Sequence, residues 1–160
     1  MSRVLRIVLA LALLAACDPG QRAPLPPALA AELATVVVDV FETDPTAAYA
    51  LMSNARLVCV AEPFGVEPAD ATTAADVTTV YAALFCVERQ AGVAFDESPG
   101  VSTVVAVRGA TVEVPGDGAA HRPDIERIFP EDLRERAFEG YRDPSAAERE
   151  LARRFAEQNR

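Results

Sequence analysis

The chain has 160 residues, with 24 acidic side chains against 15 basic ones, all arginine, and a formal net charge of −9. A surface of that sign repels polyanions, and no basic stretch with aromatic neighbours relieves the repulsion, so nucleic acid is not expected as a partner. The length suits one ordinary domain with a sizeable core, and two would be cramped.

The first residues read as a secretory signal: Arg3 and Arg6 supply the positive start, residues 7–14 an apolar run, and small residues follow. A spanning helix needs roughly 20 apolar residues. Here the uncharged stretch that begins at Ile7 stops at Asp18, so removal of residues 1–16 is expected rather than a membrane span. The residues at the cut, Leu14-Ala15-Ala16-Cys17, resemble the lipobox of bacterial lipoproteins, in which a leucine, a small residue and an alanine or glycine precede the cysteine. That resemblance covers the signal segment alone. It implies a diacylglyceryl thioether on Cys17, palmitate-type acylation, and a protein tied to the cell membrane or envelope; two acyl chains suffice for stable anchoring. The other reading is an ordinary secretory signal with an incidental cysteine near its end. Removal of residues 1–16 takes away two arginines and no acid, so the charge goes from −9 to −11.

Residues 18–27 carry prolines at 24, 26 and 27 and read, with Cys17, as a stiff tether. Ten residues reach at most roughly 30 to 35 Å. Residues 28–160 are expected to form one α+β domain. Leu29, Leu33, Val36, Val37 and Val40 recur at helical spacing, and Asp44-Pro45 has the form of an N-cap followed by a first-turn proline, predicting a short second helix to about Met52. Residues 56–62 read as a strand ended by Pro63, and 63–75 as an irregular connection. Residues 77–89 are apolar on both faces, which predicts a central strand covered on one face by helix and partly by other structure on the second. Residues 101–107 and 111–114 flank Arg108-Gly109-Ala110, the pattern of a tight hairpin.

Four strands in order predict an antiparallel sheet of about four strands in a meander, packed with N-terminal and C-terminal helices. After Pro115-Gly116-Asp117-Gly118 the chain turns helical, with Pro123 and Pro130 each suited to a first helical turn and Gly140 as a stop. Asp143-Pro144 repeats the cap arrangement before a last helix whose Ala147, Leu151 and Phe155 share a face and whose Glu150 and Arg154 are spaced as an i,i+4 pair. Val80-Tyr81 through Cys86-Val87-Glu88, with Asp117-Gly118, Asp124-Ile125 and Ile128-Phe129-Pro130, resemble small actinobacterial lipoproteins and secreted proteins, a likeness that implies no activity.

With Cys17 acylated, Cys59 and Cys86 have one possible pairing, and an oxidising compartment favours it over two buried thiols. The loop it closes is 28 residues counting both ends, for which the chain-entropy relation gives roughly 3 to 4 kcal/mol. A catalytic cysteine would need a histidine partner, and the single histidine, His121, is distant in sequence.

The candidate ligand or cation loop runs from Gly116 to Glu126 and offers Asp117, His121, Asp124 and Glu126. Oxygen-rich loops hold Ca²⁺, yet EF-hand spacing is absent, and Gly-Asp-Gly is by itself an ordinary turn. His121 reads equally as an exposed loop residue beside Arg122. No serine stands in a Gly-x-Ser-x-Gly setting and too few His or Cys remain for zinc, so no catalytic set, metal or cofactor is expected. Adjacent carboxylates such as Asp96-Glu97 and Glu131-Asp132 are what 24 acids produce by chance. The arginines of the terminal helices are interleaved with acids, which argues for intrahelical ion pairs over lipid contact. The expectation is a non-enzymatic envelope lipoprotein, anchored to the membrane through Cys17, that binds a protein or small ligand. The alternatives are a small envelope hydrolase using carboxylates between Asp117 and Glu126, and a structural envelope component.

Overall fold

A computed structural model describes residues 22–43 and 56–158. The signal, Cys17, the first part of the tether and the whole of the helix expected over 44–52 lie outside the described residues. The fold is α+β. Helix α1 (Pro27–Thr43) precedes strands β1 (Arg56–Glu67), β2 (Thr79–Arg89), β3 (Gly100–Arg108) and β4 (Thr111–Glu113), and α2 (His121–Ile128), α3 (Glu131–Glu139) and α4 (Pro144–Glu157) follow. The strands form one antiparallel sheet in the order β1-β2-β3-β4, the meander expected.

Alternation along β2 explains the layering. Val80, Ala82, Leu84 and Cys86 point to the face covered by Leu29, Leu33, Val37 and Phe41 of α1. Tyr81 and Ala83 point to the other face, against Ile125, Ile128, Phe129 and Leu133 of the α2–α3 region. Val87 meets Leu151 and Phe155 of α4 on that side. A strand buried on both faces has to be apolar on both, which is the pattern its sequence carries. The Tyr81 phenol is pushed up to about 12, first by burial and then by the Glu67 side chain near it.

Strand β1 does not stop at Pro63 as expected. It runs to Glu67 through a bulge at which Phe64 is left over between the pairs Pro63↔Ala82 and Gly65↔Tyr81. A proline without an N–H is tolerated there because β1 is an edge strand and the ladder is already interrupted. The extra residue shifts the alternation, so Phe64 faces α3 and Val66 faces α1. A Cβ at Gly65 would collide with the Leu133 side chain, so glycine lets α3 approach the strand.

Cys59 and Cys86 stand directly opposite each other in the β1–β2 register and are joined by a disulfide with both residues fully buried. In α4, Asp143 caps the helix by accepting the Ala146 N–H at 2.9 Å, with Pro144 in the first turn. Glu150 does not pair with Arg154 as its spacing suggested. It takes Arg153, three residues on, while Arg154 reaches across to Glu42 of α1 at 2.9 Å. The Glu42 carboxylate also accepts the Cys59 N–H at 2.8 Å, so one side chain ties α1, β1 and α4. Only 15% of it is exposed, and burial raises its carboxyl above the usual glutamate value despite the Cys59 N–H and Arg154.

Two outcomes are expected. A Cys59→Ala/Cys86→Ala double variant loses roughly 3 to 4 kcal/mol in urea unfolding; a loss below about 1 kcal/mol would contradict a staple that acts by restricting the unfolded chain. Because the folded protein protonates Glu42 more readily than the unfolded chain does, the stability this group contributes rises as pH falls through its folded value. Glu42→Gln removes that dependence, so the wild-type minus variant stability difference grows on acidification below neutral pH.

Candidate functional site

The loop that leaves β4 owes its shape to one carboxylate. Asp124 Oδ2 accepts the Gly116 N–H at 2.9 Å, and Oδ1 accepts from Arg127 Nη2 at 3.0 Å. Arg127 in turn reaches Glu113 of β4 at 2.8 Å. The chain β4–Arg127–Asp124–Gly116 therefore fastens the loop to α2. The Gly116 N–H first, and Arg127 second, hold the Asp124 carboxyl below the usual aspartate range. An acid committed to a backbone amide and a guanidinium is a fastener, with little left to offer a substrate or cation.

The other three candidate residues are dispersed. Glu126 is exposed and lies 4.0 Å from Arg122. His121 is half-buried at the start of α2, not a loop residue, with its ring edge-on to Phe138 at 5.9 Å between centroids. The Arg122 guanidinium sits 5.0 Å above the same ring, an arrangement that holds Phe138 in place at the surface. Asp117 is exposed and precedes the short 3₁₀ turn Gly118–Ala120 without capping it. Asp117 and His121 do share one open depression of about 300 Å³ beside Val101, Ser102 and Thr103 of β3. Among the described residues no group of three or more His, Cys, Asp or Glu is placed to hold a metal ion. The Cys59 and Cys86 sulfurs are used in the disulfide.

A second feature was hidden in the sequence. Residues 22–25, expected as part of a tether, lie on the domain: Arg22 Nε and Nη2 bind Asp132 at 2.8 and 3.2 Å, and Nη1 donates to the Val66 carbonyl at 2.5 Å. The Arg22 side chain is 14% exposed. Pro24 and Leu25 continue along two small adjoining cavities of about 140 and 190 Å³ that share Pro24, Phe64 and Arg142. Beneath them Arg136 donates to Glu62 Oε1 at 2.5 Å, and its guanidinium lies 5.1 Å above the Phe64 ring. Glu62 Oε2 accepts the Arg142 N–H at 3.1 Å. An arginine following a predicted signal is ordinary in sequence, and its partner 110 positions away leaves no local mark.

Asp124→Asn is expected to speed hydrogen exchange of the Gly116 amide several-fold while leaving the β2 amides unchanged. Since the folded Asp124 carboxyl binds its proton less readily than the unfolded one, its stabilisation is present above the unfolded value and is lost as pH falls through the depressed folded value; unchanged Gly116 exchange in the variant would sink the fastener role. Comparison of the chain with protein-family models, with curated proteins and with solved structures finds no match, so the functional reading rests on these residues and the N-terminal sequence.

Proposed function

We propose that this chain is a lipid-anchored protein of the cell envelope, acylated on Cys17 after removal of residues 1–16, whose domain is a non-enzymatic module that binds a protein or small ligand. One observation carries the reading: residues 22–25, shortly after the lipobox-like motif, are held on the domain. With Arg22 docked, four residues, 18–21, separate Cys17 from the docked arginine, a distance of five Cα steps. They span at most about 18 Å, so acyl chains on Cys17 would hold the domain directly at the membrane surface. The Cys59–Cys86 disulfide fits an exported chain. A hydrolase built on the carboxylates between Asp117 and Glu126 is the weaker reading, because Asp124 is already engaged by Gly116 and Arg127.

In cells fed an alkyne fatty acid, the full chain is expected to take up label and partition with membranes, and Cys17→Ala to do neither. Label-free, soluble wild-type protein would overturn the anchor. Arg22→Ala is expected to lower stability by about 1 to 2 kcal/mol and to make residues 22–26 several-fold more susceptible to limited proteolysis. Equal cleavage rates in both proteins would show that the docked segment does not depend on the Arg22–Asp132 pair.

A further inference from the structure

The two edges of the sheet are treated differently. Along β1, side chains from two other segments occupy outward backbone groups: Glu42 accepts the Cys59 N–H and Arg22 donates to the Val66 carbonyl. On the opposite side β4 is three residues long and pairs only with residues 106–108 of β3. Residues 100–105 of β3 pair with β2 on one side, and among the described residues no strand lies on the other.

The phase of the ladder shows which groups that leaves. The Glu88 N–H donates to the Pro99 carbonyl at 2.8 Å. In an antiparallel pair hydrogen-bonded positions alternate, so Val101, Thr103 and Val105 bond to β2 while Gly100, Ser102 and Val104 turn their N–H and C=O groups outward. The Val104 carbonyl receives a long bond from the Thr103 hydroxyl at 3.4 Å. Strand β4 does not extend to cover them: Pro115, the next residue in phase to face β3, has no N–H, and the Gly116 N–H bond to Asp124 draws the following chain toward α2. The strap of residues 114–117 therefore diverges from β3, and the depression of about 300 Å³ opens between them, at the lower end of the size of ligand sites. Natural sheets blunt such edges with charge, proline or a covering element. Gly100, Val101, Ser102, Thr103 and Val104 supply none of these.

We propose that the free edge of β3 at residues 100–104 accepts an extended segment of another protein as a fifth strand, one carrying a basic side chain within reach of Asp117. The idea rests on the reading of the domain as a binding module and gives that module its mode of recognition: main-chain hydrogen bonds supply affinity, and side chains beside the slot supply selection. Asp117 stands exposed at the slot and the chain carries −9 overall, so a basic segment is favoured and a second copy of this acidic chain is disfavoured. The slot lies two strands from β1, the edge on which Arg22 holds the N-terminal segment, so docking of that segment leaves it open.

The test uses the purified mature chain and an acetylated, amidated heptapeptide of alternating threonine and valine with a central arginine. Saturable binding is expected, with exchange of the Ser102 and Val104 amides slowed by about ten-fold and the Val101 and Thr103 amides unchanged. Ser102→Pro removes an outward N–H without touching the β2 ladder and is expected to weaken binding at least about ten-fold. Asp117→Asn weakens the arginine peptide about three-fold and leaves a glutamine version unchanged. A peptide N-methylated at alternate amides on the pairing side does not bind the unaltered protein, a control independent of how Ser102→Pro folds. Absence of peptide binding, tight binding by the N-methylated peptide, or unaltered Ser102 and Val104 exchange would overturn strand addition while leaving the Cys17 labelling result, and the anchor it tests, untouched. A dimer in sedimentation that Ser102→Pro disperses would assign the edge to a second copy and overturn the foreign segment.

Discussion

Burial of β2 on both faces is the constraint from which the rest of the structure follows. Its residues from Thr79 to Leu84 are buried without interruption, so each face needs its own cover. One helix cannot supply both. The chain meets the requirement by placing α1 on one face before the sheet is made and α2, α3 and α4 on the other afterwards. The disulfide joins β1 to this central strand at the register position where both residues are fully enclosed, and the Glu42 carboxylate fastens α1 and α4 to the same position through the Cys59 N–H and Arg154. The buried centre of the molecule is thus built around one strand pair.

The polar residues serve mostly as fasteners between elements. Asp124 holds the loop after β4, Glu62 joins Arg136 to the Arg142 backbone, and Asp132 with the Val66 carbonyl holds Arg22. Such partly buried pairs contribute through hydrogen bonds as much as through charge. What they leave open is informative: backbone groups of β1 are taken by side chains, whereas the outward groups of Gly100, Ser102 and Val104 face a depression. On the proposed function, the docked neck would hold the domain close to a membrane while the unblunted strand edge stays open to a partner.

Much of the fold could be read from the chain. Short apolar, valine-rich runs between turn residues located the strands and their antiparallel order, the Asp143-Pro144 pair located the start of α4, and Ala147, Leu151 and Phe155 marked its buried face. The cysteine count led to the Cys59–Cys86 pair. What could not be read depends on partners distant in sequence. Pro63 looked like a strand terminator because a bulge on an edge strand is visible only once pairing is known. Arg154 and Glu150 have ideal spacing for each other, yet Glu42, 112 positions away, wins Arg154 because it also caps an edge amide. Of the candidate loop, Asp117 and His121 share a depression, Asp124 is spent as a fastener and Glu126 faces outward. Their proximity in sequence overstated their proximity in function.

The most direct test of the central claim, a stapled domain tied to the membrane through Cys17, is the intact mass of the mature protein from its native host with and without reduction. The account predicts a chain that begins at Cys17, carries a lipid-sized addition, and gains about 2 Da on reduction of its one disulfide. A chain without lipid, released into the medium, would contradict it and make this a diffusible protein.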